Sequence, residues 1–512
     1  MQYILDAKKM KSLDEYAIQN IGIPAMVLIE RAALSIFNQV KRKINNQDTI
    51  LVICGTGNNG GDGIAAARLL KEEGYVVSVL LIGDESHVSE QTKLQLSIAK
   101  YLGVNILNNA KVSAYNVIVD AIFGIGLSKA VEGIYEAIIN EINESKNTVF
   151  SVDIPSGIRA EDGQIMNVAV KADYTITFGY NKIGLVLYPG CEYAGEVLVE
   201  DIGFPKIALD SVKPDTFIYT KSDLDRLPKR REYSNKGTYG RVLIIAGSKN
   251  MSGACYMAAK AAYRAGAGLV KVLTVSENRS ILQTLLPEAI LSTYDSVDLD
   301  NQTKINLIIR DINQASAIVI GPGMGISRDS NQLIDLVLTY AKVPVVVDAD
   351  AITMIAERKD YVTQYSGTTN YNDINLPRDI IITPHLKEMS RLLGCETRQI
   401  SEKILESART ATESKEYILA LKDARTIVSN GTHFYINCSG NNGMATAGVG
   451  DALTGIIAAF VAQGMKSYDA TCLGVYVHGL AGDAVAMKKG AYSLMATDLI
   501  EALPAILSFN VN

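Results

Sequence analysis

Residues 50–74 read ILVICGTGNNGGDGIAAARLLKEEG, in which an apolar β-branched run ends in a glycine-rich turn that opens into a helix-period segment. A strand, a glycine turn and a helix in that order make an anion site. Glycine lets backbone approach a phosphate, and the free N–H groups and positive end of the helix favour negative charge. Gly55, Gly57 and Gly60 satisfy a dinucleotide fingerprint, and Asp84, after the next strand, stands where a ribose-binding acid could sit. On that reading the chain would be a dehydrogenase. Two adjacent asparagines, Asn58 and Asn59, followed by Gly60, Gly61 and Asp62, add amide oxygens and a carboxylate to the turn. That set suits a polar ligand or cation as well as a phosphate.

Working outward, strands are expected at 50–54, 76–82, 117–121, 149–154, 174–178 and 196–201, alternating with helical segments, the pattern of a parallel sheet covered on both faces. Two more strand ends would converge on the same edge. One carries Asp120 in VDAIFGIG (119–126), the other Asp153 in VDIPSG (152–157). Either acid could simply cap a turn, but open α/β sheets bind ligands at the carboxyl ends of their strands.

The stretch 211–231, with Pro214, Pro228 and the basic cluster Lys229–Arg231, reads as a solvated linker between domains 1–210 and 232–512. Beyond it the α/β pattern resumes, with strands expected at 242–246, 270–275, 317–320, 343–348, 380–383, 418–422 and 426–429. Helices follow at 447–463, 468–489 and 493–507. Tyr361–Pro377 reads as an exposed loop. A length of 512 residues demands two cores, and 48% apolar against 20% charged residues gives enough apolar side chains to fill them. A net charge of −6 without a basic face argues against nucleic acid. Six dispersed cysteines and four histidines argue against zinc, and the absence of a signal-like start or an apolar run of about 20 residues leads to the expectation of a cytoplasmic protein with no membrane partner.

The order and spacing of NNGGDG, DAIFGIG and VDIPSG resemble the N-terminal domain of the YjeF family, the NAD(P)H-hydrate epimerases, over residues 1–210. The resemblance implies a Rossmann-like three-layer fold. It implies that Asn58, Asn59, Gly60, Gly61, Asp62, Gly124, Ile125, Gly126, Leu127, Ser128, Lys129, Ala130, Tyr135 and Asp153 contact hydrated NADH or NADPH. It also implies that Asn59, Asp120 and Ser156 hold K+. Epimerising the hydroxyl-bearing C6 of the hydrated ring needs protons moved, a task for a carboxylate assigned here to Asp153.

In the second half, GNNGMATAGVGDALTG (440–455) leads into an apolar helix. Glycines at a helix start offer N–H groups to an anionic transition state, and Asp451 beside them could take a proton from a hydroxyl, as in kinases of the ribokinase type. Three further groups fall at expected strand ends: Gly321–Gly325, Thr383-Pro384-His385, and Lys422–Thr426. His478, in an apolar helical stretch, reads as core. With KGTYGRVLIIAGS, GPGMG, VVDADAI and TPH, the whole of 237–507 resembles the ADP-dependent NAD(P)H-hydrate dehydratases, whose fold is ribokinase-like. This implies that Ala254, Gly323, His385 and Asp451 bind the hydrated cofactor. Lys422, Asp423, Ala424, Arg425, Thr426, Asn441, Asn442, Gly443, Met444, Ala445, Thr446 and Gly450 would bind ADP with Mg2+. The chain departs from the family's usual HPGE and GNPG at His385–Glu388 and Gly440–Gly443.

Together the resemblances imply a bifunctional repair enzyme that interconverts the R and S hydrates and dehydrates the S form, ADP giving AMP and phosphate. Relatives form symmetric oligomers, so a homo-oligomer is expected. The rival is a ribokinase-like small-molecule kinase carrying a non-catalytic N-terminal ligand-binding domain.

Overall fold

The alternation of side chains along the first six expected strands decides how the first half layers. A computed structural model describes residues 1–358 and 379–508, so the loop expected at 361–377 lies outside the described residues. The chain divides into two compact units, Tyr3–Thr216 and Phe217 onward with Met1–Gln2.

In the first unit, strands Thr49–Cys54, Val76–Leu81, Val117–Ala121, Thr148–Val152, Tyr174–Phe178 and Glu196–Glu200 all form, joined by a short strand Asn105–Leu107 that sequence periodicity misses. They make one seven-stranded sheet, in spatial order 105–107, 76–81, 49–54, 117–121, 148–152, 174–178, 196–200. Every pairing is parallel. Ile50, Val52 and Cys54 face a core with helices Ala25–Lys43 and Asn58–Glu72, whereas Leu51 and Ile53 face a second core with helix Ile134–Glu144. The period of two thus splits one strand between two hydrophobic layers. Strands 49–54 and 117–121 are neighbours whose connections leave in opposite directions, so the crevice of the sheet opens at their carboxyl ends.

In the second unit the strand order is 290–294, 269–275, 241–245, 317–320, 345–347, 380–382, 418–421, 427–429, 434–436. The pairings are parallel as far as 418–421. The last two strands are antiparallel, which corrects the expectation of a wholly parallel sheet. The reasons are local: the chain turns back through Lys422–Thr426 between 418–421 and 427–429, and again at Asn430-Gly431 before 434–436, Gly431 having φ +86°. Helices Ser252–Arg264, Val449–Ala462, Ser467–Lys489 and Ala496–Leu507 pack together. Gly455 permits the first two to touch, since a Cβ there would lie 2.1 Å from the carbonyl oxygen of Ala258.

Two expectations are revised. The supposed linker is ordered from residue 216: Phe217, Tyr219, Leu224 and Leu227 are buried, and the rings of Phe217 and Tyr219 stack near Tyr435. Its apolar residues were outvoted in the sequence by the prolines around them. Secondly, Ser467–Lys489 is long and apolar enough to cross a membrane by length and composition, although 72% of its most apolar window is buried inside the structure. Here it is a core helix, with Gly474 against Ile457 and His478 donating from Nε2 to the carbonyl of Val449 at 2.9 Å. Burial lowers the His478 pKa to about 4, so it is neutral, as befits a core residue.

Candidate active sites

The glycines of the first turn divide by what they touch. A Cβ on Gly55 would sit 2.2 Å from the carbonyl oxygen of Ile122, and one on Gly60 would sit 2.0 Å from that of Gly55. These two are demanded by backbone packing. A Cβ on Gly57 or Gly126 would meet nothing within 4 Å, and both line a cavity of about 1110 Å3. The helix begins earlier than its apolar period suggests, at Asn58 rather than Ile64, so Asn58–Gly63 form its opening turns instead of a loop. This places Asn58, Asn59 and Asp62 in the cavity wall opposite Gly124–Ala130, Tyr135 and Asp153. Gly60 and Gly61 do not line it; Gly61 is pressed against Thr92, where a Cβ would lie 2.7 Å from Oγ1. Asp84, the dehydrogenase candidate, is outside the lining and caps a helical turn by accepting from Ser86 N–H at 2.8 Å.

Asp153 follows its strand directly, with φ +67°, a strained value for a residue other than glycine. Its Oδ1 is 2.6 Å from Lys182 Nζ and accepts from Thr177 Oγ1 at 3.2 Å. Four other carboxyls, Asp14, Asp62, Glu132 and Glu161, line the same cavity. Burial first, then the charges of Asp153 and Asp14, hold the Asp62 carboxyl well above the usual range. Burial first, then Glu15 and Asp153, raises Asp14.

Asp120 lies at the other strand end, fully buried. Its carboxylate accepts from Ser151 Oγ at 2.8 Å, Ser156 N–H at 2.9 Å and Ser156 Oγ at 2.5 Å. The Phe123 N–H donates to Ser156 Oγ at 2.8 Å, and Asn59 packs against the next residue, Gly124. Asn59 Nδ2 is buried with no hydrogen-bond partner. The Asp120 carboxylate, the Ser156 hydroxyl and the side-chain oxygen of Asn59 are hard oxygen ligands of the kind an alkali cation takes, so the residue types fit K+.

In the second unit, Asp348, Thr383 and Lys422 each stand one residue past a strand end and meet. Lys422 Nζ lies 2.7 Å from Asp348 Oδ1, which also accepts from Thr383 Oγ1 at 2.8 Å. A Cβ on Gly450 would be 3.5 Å from Lys422 Nζ and 3.9 Å from Asp348 Oδ2, so the fold does not require glycine there. Asp451 is in the first turn of helix Val449–Ala462, after Gly448 at φ +88°. The first intrahelical bond is Ala452 N–H to Gly448, so the N–H groups of Val449, Gly450 and Asp451 precede it and have no intrahelical acceptor. Burial above all, then Asp348, raises the Asp451 pKa to about 6, while Lys422 opposes the shift. Lys422 is pushed down by burial but more strongly up by Asp348 and Glu388, and stays charged.

His385 caps helix Leu386–Leu393: its Nδ1 accepts from Lys387 and Glu388 N–H, at 3.1 and 3.2 Å. That fixes Nδ1 as the acceptor and leaves the proton on Nε2. Burial, then Lys422, lowers the His385 pKa. Glu388 completes the cap by accepting from His385 N–H at 2.8 Å, so the loop closes without the family's proline. Burial pushes Glu388 up to about 7. Gly323, at φ +59°, touches Ala254, where a Cβ would approach to 2.8 Å. In the expected nucleotide loops, Asp483 accepts from Gly440 N–H and Asn441 Nδ2, both at 2.9 Å, and Arg425 donates to the Cys438 carbonyl at 3.2 Å. Asp423, Ala424, Asn442, Ala445 and Thr446 are exposed, Gly443 and Met444 half-buried beside the last two. Lys422 stands apart from these, at the acid cluster.

Sequence reading did not single out Lys182, Asp14, Asp348, Glu388 or Asp483 individually. Asp348 had a signal, its place in VVDADAI; Lys182 had only the oddity of one lysine in an apolar run.

Comparisons with known proteins bear on both units. Residues 242–505 match the family model described as NAD(P)H-hydrate dehydratase, and residues 25–184 match that of the YjeF-related protein N-terminus. The chain is 35% identical to the bifunctional NAD(P)H-hydrate repair enzyme Nnr of Thermofilum pendens, over 98% of this chain and 95% of that one. It is 34% identical to the enzyme of the same name from Moorella thermoacetica, over 99% and 96%. A crystal structure of a ribokinase-like superfamily protein from Enterococcus faecalis aligns with TM-score 0.50 and 28% identity, covering 57% of this chain and 95% of the other.

Proposed function

The chain belongs to the family of bifunctional NAD(P)H-hydrate repair enzymes, and from that premise we propose how its residues divide the work. The Rossmann-like unit is the epimerase and the ribokinase-like unit the dehydratase. The fused YjeF-type domain and the full-length match to repair enzymes set aside the kinase reading.

In the epimerase, hydrated NADH or NADPH occupies the cavity lined by Asn58, Asn59, Asp62, Gly124–Ala130 and Tyr135, with Asp153 as the acid/base. It takes a proton as C6 opens and returns it as C6 re-forms on the other face, so no proton is gained or lost overall. Asn59, Asp120 and Ser156 hold K+. The ion supplies positive charge beside a buried carboxylate; Asp120 and Ser156 order the loop that frames the ring.

In the dehydratase, hydroxide is a poor leaving group. Asp451 takes the proton of the C6 hydroxyl, whose oxygen attacks the terminal phosphoryl of ADP, releasing AMP. Loss of phosphate with the C5 proton then restores the dihydronicotinamide. The first-turn N–H groups of Val449, Gly450 and Asp451 and the Lys422 ammonium stabilise charge on the transferred group. The observation that carries this reading is the convergence of Asp451, Lys422 and Gly450 at a helix start. Residues 423–426 and 441–446 bind the nucleotide, and Ala254, Gly323 and His385 the hydrate. Mg2+ would be bound through the nucleotide phosphates, where it would supply positive charge for phosphoryl transfer. The six cysteines are free, which suits a reducing cytoplasmic setting. Exposed Met487, Tyr492 and Met495 supply apolar surface for a homo-oligomer.

The test is recovery of reduced-nicotinamide absorbance from mixed hydrate epimers with ADP, with ATP and with neither. Full recovery with ADP is expected; recovery of half would remove the epimerase assignment, and none with either nucleotide the dehydratase. A second expectation concerns pH. Asp451 acts ionised, so with saturating nucleotide kcat/KM for the S hydrate falls tenfold per unit below about pH 6, the raised value, instead of near 3.8. A profile flat to pH 5 would remove Asp451 as the base.

A further inference from the structure

Among the described residues, Lys182 is the only lysine that is fully buried, at 1% exposure. Burying an ammonium costs several kcal/mol unless it is paired and hydrogen-bonded. Its partners account for all three of its protons: Asp153 Oδ1 at 2.6 Å, Thr177 Oγ1 at 2.7 Å and the Phe178 carbonyl at 3.0 Å. With every N–H committed, Lys182 has none to offer a substrate, although it reaches the cavity wall. Thr177 in turn donates to the same Asp153 oxygen at 3.2 Å. Both donors therefore hold Oδ1, and Oδ2 takes no hydrogen bond among the described residues. The strained backbone at Asp153, φ +67°, is fixed by its own N–H donating to the Ile176 carbonyl at 2.7 Å. Asp14 and Asp62, two other acids of this cavity, have no ammonium partner among the described residues.

We infer that Lys182 and Thr177 are positioning residues of the epimerase, clamping Oδ1 of Asp153 so that Oδ2 alone faces the hydrated ring as its proton acceptor and donor. The clamp sets Asp153 apart from the other acids that line the cavity. Asp153 has the Lys182 ammonium against it at 2.6 Å, whereas Asp14 and Asp62, without such a partner, are raised chiefly by burial. The inference rests on the reading of Asp153 as the acid/base, and its test separates the two.

The full chain is assayed without nucleotide, following R-to-S conversion by chromatography at initial rates. Lys182→Met should lower kcat about 100-fold, the scale of losing an oriented acid/base, with KM changed less than about threefold since no substrate contact is removed. Lys182→Arg should restore part of the loss. Thr177→Val, which keeps the side-chain shape, should lower kcat about tenfold. Thermal melting of the same variants reports whether the first unit is folded, and nucleotide-dependent dehydration of the S hydrate reports the second. If Lys182→Met keeps wild-type kcat, or raises KM alone, while Asp153→Asn is inactive, the clamp is wrong and the Asp153 assignment stands. If Asp153→Asn also keeps its rate, the assignment itself fails. Should Lys182→Met not fold, Thr177→Val decides, and an unchanged kcat overturns the clamp.

Discussion

Asp451→Asn is expected to lower nucleotide-dependent dehydration of the S hydrate by about 10^3-fold or more while R-to-S epimerisation continues at the wild-type rate. Asparagine keeps the shape and fits the helix start, but cannot accept the hydroxyl proton. The field around it argues that the loss is chemical. Asp451 shares its site with Asp348 and Lys422, and the carboxyl raised to about 6 is a stronger base than an ordinary aspartate while still ionised at neutral pH. Nucleotide affinity should change little, because the phosphate donors are backbone N–H groups and Lys422. The measurement is kcat and KM for both substrates by absorbance recovery from pure S hydrate. A loss confined to nucleotide KM would make Asp451 a binding residue, and retained kcat would remove it from the chemistry.

Asp153→Asn is expected to bring epimerisation down to the uncatalysed rate, so that a mixture of epimers supplied with ADP recovers only its S fraction promptly. The variant also leaves Lys182 as a buried ammonium without its carboxylate, which destabilises the first unit by a few kcal/mol. Thermal melting must accordingly accompany the rates. A folded variant with undiminished R-to-S conversion would refute the assignment. The two variants form a reciprocal pair: each should remove one activity and spare the other, and mixing them should restore full recovery from both epimers if the intermediate hydrate diffuses between molecules.

The glycine turn, the apolar runs and the acids after strands made the α/β class readable in the sequence and singled out most of the residues proposed for the two sites. The reason is that these are local properties. A strand's period of two is set by its backbone, so the uninterrupted apolar run Ile50–Cys54 reads as a strand buried on both faces, and an acid directly after such a run points to a strand end. Local patterns also misled where chain context overrode them. The prolines of 211–231 hid the buried aromatic residues Phe217 and Tyr219, and the apolar period places the start of the helix after strand Thr49–Cys54 at Ile64, although it starts at Asn58.

What no local pattern could supply is the pairing of residues far apart in the chain. Lys182 meets Asp153 across 29 positions, and Lys422 meets Asp348 across 74. For Lys422 and Asp348, parallel strands of one sheet deliver their ends to one edge, whereas Lys182 lies in the short strand Asn181–Lys182, paired with Gln2–Leu5 outside the seven-stranded sheet; in neither case does spacing along the chain fix the partner. The sequence by itself determined which elements form and which chemistry-bearing residues stand at their ends. Only the tertiary structure decided which of those charges share a desolvated site, because the interaction of a buried pair depends on distance through space, and that distance is set by the order in which the strands assemble.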